Sequence, residues 1–233
     1  MRTARLKVRT LGVMVGVALV AMVVGAGLRG AADPSPPSTA RPTTVVDGDP
    51  VDEGEVGPGP WDAVEGIGVG FSHDEAGAVA AAVTYGTAPQ VWLYLSDDQV
   101  AVSADAVIVE RARDELVPRL VEDARLLRTE VTKAAGTVWF VVAPLATKIE
   151  SYTDERAVVR VWVVRVLSAD GVALPQSGWQ TLRLDLAWER GDWRIVAVDE
   201  AEGPTPQLEA GVQPWAADYL GAELAGFRRV GAP

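Results

Sequence analysis

The hydrophobic period of this chain changes once, near residue 135, and that switch constrains the fold more than any motif does. Before it, Ile108, Ala112, Leu116, Leu120, Ala124, Leu127 and Val131 recur at three- and four-residue steps. Arg111, Arg113, Arg119, Glu122, Arg125 and Arg128 fall mostly between them. That is the signature of an amphipathic helix. The pattern predicts a long helix over 104–134, kinked or divided by Pro118. After the switch the period is two. Residues 136–152 read as a strand interrupted at Pro144, and the almost wholly apolar 156–168 as a central strand. In 179–189, Leu182, Leu184, Leu186 and Trp188 alternate with Thr181, Arg183, Asp185 and Glu189. Arg190-Gly191-Asp192 then supplies a hairpin turn into a return strand at 193–198. The tripeptide also spells a cell-adhesion motif, but its place between two strands assigns it to the turn.

Earlier in the chain, residues 73–86 are Ala-rich and read as a first helix, with a second helical piece at 90–96 after Pro89. Ser96-Asp97-Asp98-Gln99 has the form of a capping box. Residues 208–227 read as a marginal helix. Helices first and strands afterwards predict an α+β domain over residues 61–207: about three helices packed on a curved antiparallel meander of about four strands. Residues 208–233 follow as a C-terminal tail.

The N-terminus carries a separate signal. Arg2, Arg5, Lys7 and Arg9 precede an uncharged apolar run, residues 11–28. Eighteen helical residues reach ~27 Å, close to the ~30 Å hydrocarbon core of a bilayer. The expected layout is a cytoplasmic basic tail at 1–10, a transmembrane anchor at 11–29 and a disordered tether at 30–60. The positive flank places the N-terminus in the cytoplasm and the C-terminal domain outside the cell. Gly25-Ala26-Gly27 would suit signal-peptide cleavage, whereas the length of the run and Arg29 favour an uncleaved anchor. The tether holds seven of the fifteen prolines in the chain and no aromatic residue, so it has little apolar surface to offset its ordering entropy.

Composition excludes much chemistry. The chain has no cysteine, which removes disulfides, thiolate metal sites, a cysteine nucleophile and a lipidation box. One histidine and no carboxylates at ligand spacing leave no expected metal or cofactor. The formal net charge is −11 while the N-terminus is basic, so the acidic domain is not expected to bind nucleic acid. The glycines of 66–71, "GIGVGF", lack nucleotide-loop spacing.

Ser72-His73-Asp74 spells the three residue types of a hydrolase triad in a row. Neighbours in sequence point apart and fail to converge as a triad requires. Ser72 with Glu75 instead reads as a capping box for the first helix. No catalytic residue is expected. A lone carboxylate base would be Asp185 or Glu150, both read as solvated strand-face residues.

The order of elements, ending in Trp188, Gly191, Trp193, Ile195 and Val198, resembles the cone-shaped nuclear-transport-factor-like (cystatin-like, SnoaL-like) fold. With the anchor and tether, the chain resembles the single-pass scaffold subunits of conjugal transfer and type IV secretion systems and their actinobacterial relatives. "GFSHDEAGAVAAAVTY" at Gly70–Tyr85 and "GPTP" at Gly203–Pro206 resemble stretches of such membrane proteins. The resemblance implies a non-enzymatic assembly subunit acting through protein–protein contacts. Its partners would be other membrane subunits of the machine and, through residues 11–29, membrane lipid, and a homo-oligomer would be compatible with the role. The alternatives it implies are an exported protein binding a lipid or other hydrophobic ligand in the cone cavity, or a SnoaL-like isomerase or cyclase.

Overall fold

The computed structural model describes residues 57–206, 220 and 223–230. The expected basic tail and anchor, most of the tether, and most of the helix expected at 208–227 lie outside those residues. Among the described residues, no helix is long and apolar enough to cross a membrane.

The domain is α+β. It opens with a small hairpin, β1 (Asp62–Val64) and β2 (Ile67–Val69). Glu65 and Gly66, at φ 48° and 80°, make its two-residue turn. Four helices follow: α1 (Glu75–Thr87), the single turn α2 (Pro89–Trp92), α3 (Asp97–Val107) and α4 (Arg113–Val131). Then come four long strands, β3 (Val138–Thr153), β4 (Arg156–Ala169), β5 (Ala173–Glu189) and β6 (Asp192–Glu202). They pair as an antiparallel meander. A short β7 (Arg228–Arg229) joins the free edge of β3, giving the order β6-β5-β4-β3-β7.

The sheet therefore has five strands rather than the expected four. Two-residue β7 and three-residue β1 and β2 are too short to carry a period, so they leave no trace in the sequence pattern. Pro144 does not interrupt β3. The strand absorbs it in a bulge between Pro144 and Ala146, and a second bulge lies between Ile149 and Ser151. The exposed edge of β3 is also managed: Gln90 Oε1 accepts the Val142 N–H at 3.2 Å, Pro144 has no N–H to offer, and β7 covers Ala146 and Thr147.

The helical stretch expected over 104–134, kinked or divided at Pro118, is two helices divided elsewhere. The chain leaves helical geometry at the β-branched run Val107-Ile108-Val109, where Ile108 bridges Ile195 of β6 and Val109 N–H donates to Ile195 at 3.0 Å. Pro118 lies inside an unbroken α4. The strand-forming run, not the proline, sets the break.

The first helix also starts differently. Its N-cap is Asp74, whose Oδ1 accepts from the Gly77 N–H at 2.7 Å, while the Ser72 hydroxyl donates to the same carboxylate at 2.7 Å. The expected Ser72–Glu75 capping box gives way to an Asp cap. A Cβ on Gly77 would lie 2.0 Å from the Ser72 carbonyl oxygen, so the loop can fold back only over glycine. For α3, the capping box of Ser96 and Gln99 is present as the sequence predicts.

The core lies between the helices and one face of the sheet. Val159, Val161 and Val163 of β4, Leu182, Leu184 and Leu186 of β5, and Trp193 and Ile195 of β6 point toward the helices and are buried. Burying each such side chain contributes about 1.5–3 kcal/mol.

Candidate functional site

Two helices cover the same sheet face in different ways, and the difference creates the site. Helix α1 presents Ala78, Ala81 and Ala82, all buried, and Gly86, whose missing Cβ would sit 3.2 Å from Leu182 Cδ1. Small residues let this backbone approach the sheet closely. Helix α4 presents Leu116, Leu120 and Leu127, which reach the core but stay only half-buried. Of its nineteen residues only Ala124 and Val131 are buried. Large side chains hold this helix off the sheet, and a cleft remains beneath it.

The cleft encloses about 90 Å³. Leu182 and Leu184 with Ile195 and Val198 form its floor, α4 its roof, and Tyr85, Pro89 and Trp92 its inner end. The polar groups gather at its rim: Arg119 and Asp123 from α4, Arg165 from β4 and Glu200 from β6. Arg165 lies 2.9 Å from Glu200, and both are largely withdrawn from solvent. Gln180 Nε2 also donates to Glu200. Burial raises the Asp123 carboxyl above the usual carboxylate range; the neighbouring Glu122 adds to the rise and Arg119 opposes it.

The roof is fastened chiefly at its C-terminal half. Arg128 Nη1 donates to the carbonyls of Trp92 and Leu95 at 3.0 and 2.7 Å, capping the end of α2, and Nη2 pairs with Asp97. Arg125 Nε donates to Asp97 at 2.8 Å. The N-terminal half is tied through Arg113, to Asp105 at 3.1 Å and to the Ile108 carbonyl at 3.4 Å. Within it, Pro118 withholds one helical N–H.

The residues of the triad-like stretch lie at the other end of the sheet. His73 stacks on Trp188 at 3.9 Å between ring centroids, and its Nε2 meets the Asp154 carbonyl at 2.5 Å, while Ser72 bonds to Asp74. The three form a loop closure. Behind them Asp192, the last residue of the RGD turn, is buried and accepts three backbone N–H groups: Gly70 at 2.8 Å, Phe71 at 3.0 Å and Trp193 at 2.9 Å. Arg190 and Gly191, at φ 58° and 79°, make the two-residue turn. Tyr85 donates its hydroxyl to the Trp193 carbonyl at 2.8 Å, and burial, then the Asp192 charge, push its pKa up.

Glu150 and Asp185 are on the outer face, away from the cleft. Glu150 lies between Arg160 at 2.5 Å and Arg183 at 2.9 Å, and Asp185 is 2.9 Å from Arg183. Burial opposes its charge, but the two guanidinium groups hold the Glu150 carboxyl below its usual range. As partly exposed pairs they contribute little to stability. Periodicity had marked the floor (Leu182, Leu184) and the roof (Leu116, Leu120, Leu127). It missed Arg165, which reads as one of three arginines in a largely apolar strand. Its inward place in the alternation of Val161, Val163 and Leu167 is the signal that could have found it. Among the described residues, no group of three or more carboxylate or histidine side chains could hold a metal ion.

Among solved structures, the crystal structure of the intermembrane space region of chloroplast protein ARC6 aligns with a TM-score of 0.35 and 14% identity, covering 55% of this chain and 93% of that one. No curated protein matches. Residues 30–214 match a family described as a domain of unknown function, and the chain belongs to that family, DUF8175.

Proposed function

We propose that the protein is a non-enzymatic, single-pass membrane subunit of a conjugal transfer or secretion complex. Residues 11–29 anchor it, residues 30–60 tether it, and the α+β domain works outside the cell by holding a segment of a partner subunit. The observation that carries the reading is the cleft beneath α4, which is apolar on floor and roof, has a polar rim, and is closed by a helix seated less deeply than its neighbour. A cleft of that kind is suited to binding rather than to bond-making, because the charged pair from its sheet side, Arg165 and Glu200, neutralises itself.

Two other readings are weaker. A long-chain lipid would need a cavity of roughly 300–1,000 Å³, several times the 90 Å³ enclosed here. An isomerase would need a base facing the cleft. Asp123, whose proton affinity is raised, stands at the rim in the roof rather than on the floor where a substrate would rest.

In-cell crosslinking of the full-length protein, followed by membrane purification and mass spectrometry, tests the proposal. Recovery of a transfer ATPase or polytopic channel subunits, lost when residues 61–207 are deleted, is the expected result. Recovery of the protein alone from membranes would contradict the assembly role, and its recovery only from the medium would contradict the anchor.

A further inference from the structure

At the rim of the cleft, and on a side chain bonded to it, the closed domain leaves polar atoms unsatisfied. Arg165 is 6% exposed; one terminal nitrogen pairs with Glu200, yet its Nε–H has no acceptor. Gln180 gives its Nε2 to Glu200, and its Oε1 accepts nothing. The register places both on the cleft side of the sheet. Gln180 is opposite the buried Val163, Arg165 is opposite Gly178, and Glu200 is opposite the buried Leu182. The missing Cβ of Gly178 has nothing within 4 Å, so there is space beside the guanidinium. A buried donor and a buried acceptor without partners destabilise the closed form, and native proteins seldom keep such a pair without a reason.

We infer that the occupant of the cleft is a peptide segment. One apolar side chain enters beneath α4, and an adjoining residue in extended conformation gives its own C=O to Arg165 Nε–H and its own N–H to Gln180 Oε1. This rests on the binding role proposed above and names the chemistry of the ligand. Three observations converge on it. One donor and one acceptor, on side chains that share the Glu200 carboxylate, match the C=O and N–H that one extended residue presents on the same edge. The rim has two cationic groups, Arg119 and Arg165, against two carboxyl groups, Asp123 and Glu200, so it offers no excess charge to an ionic head. The enclosed 90 Å³ suits one side chain, not an acyl chain.

Both orphan atoms are shut off from solvent in the closed form, so the occupant enters as the roof opens. Arg125 and Arg128 pin the C-terminal half of α4 to Asp97, α2 and the turn after it. The half that moves is therefore the N-terminal one, with Pro118 as the point where the helix gives.

The test uses the full-length protein, methyl-labelled for NMR, with three probes: the capped tripeptide Ac-Gly-Leu-Gly-NH2, xenon, and monodecanoin. Xenon needs only the void. The peptide is expected to shift the Leu120, Leu182 and Leu184 methyls saturably and to move the Arg165 Nε–H resonance. Arg165→Lys and Gln180→Met should each weaken the peptide about tenfold, the scale of one lost hydrogen bond, and leave the xenon shifts unchanged. Gln180→Met keeps the Arg165–Glu200 pair and carries the test if Arg165→Lys fails to fold. Xenon shifts without peptide shifts would overturn the peptide inference and leave the cleft standing. Absence of both would remove the cleft reading itself. Monodecanoin saturating the methyls at lower concentration than the peptide would make the occupant a lipid and overturn the inference.

Discussion

Helices α1 and α4 cover one sheet face, and they are held to it by opposite means. The α1 end is closed by small residues and by one buried carboxylate, Asp192, that gathers three backbone N–H groups from two segments of the chain. Trp193 is fully buried there, and its indole N–H donates to the Ser72 carbonyl at 3.0 Å. The α4 end is closed by half-buried leucines and by arginines that grip carbonyls and Asp97 at the far end of the helix. Small residues give contact and leave nothing between the layers. Large residues on a helix that stands off give area without closure, and the result is a cleft. One region is built to stay shut and the other to yield.

Substitutions that compare the two ends should separate them sharply. Asp192→Ala is expected to cost the most, about 3–5 kcal/mol, because three N–H groups lose their acceptor and each orphan costs about 1–3 kcal/mol with partial relief; denaturant titration measures it. Gly77→Ala comes next, at about 1–3 kcal/mol, since its Cβ meets the Ser72 carbonyl at 2.0 Å and the loop has to shift. Leu120→Ala, on the half-buried roof, should cost only about 1 kcal/mol, well under the ~2–5 kcal/mol usual for a buried leucine. A loss at Leu120 equal to that at Asp192 would erase the contrast between the ends.

Acid should act on the two ends with opposite sign. The Gly77 N–H, then the Ser72 hydroxyl, hold the Asp74 carboxyl below its ordinary range. Its contribution is thus present above the unfolded-state value near ~3.9 and is lost as pH falls through the folded value. Asp123 is raised by burial, so its charge destabilises the fold at neutral pH and that cost disappears as pH falls through the raised value. Asp74→Asn should therefore flatten the loss of stability below about pH 4. Asp123→Asn should stabilise the protein at pH 7 by less than about 1 kcal/mol, solvent screening at the rim keeping the effect small. Thermal melts of the two variants across pH 3–7 check both signs.

The sequence showed the class of the fold because the two periods are long: nineteen residues of α4 and strands of eleven to seventeen residues repeat their pattern several times. It also showed the RGD hairpin and the α3 capping box, where local chemistry and tertiary context agree. It misplaced the break in the long helix, because Ile108 reads equally well as a helix stripe residue and as the β-bridge to Ile195 that it makes. The Ser72 cap was lost to Asp74 through a contact with Gly77 that no local pattern distinguishes. Of the cleft, the apolar floor and roof were legible and the void was not, since a gap depends on how far α4 stands from the sheet. Arg165 and Gln180 became neighbours of Glu200 only through strand register, which the pattern of single strands leaves open.

Native-state hydrogen exchange of the full-length protein, read amide by amide, tests the central claim that α4 is a roof that opens while α1 stays shut. Amides of residues 119–122 in α4 are expected to exchange through a partial opening at least ~2 kcal/mol below global unfolding, while those of 78–86 in α1 exchange only when the whole domain unfolds. Equal protection of the two helices at the global free energy would contradict the account.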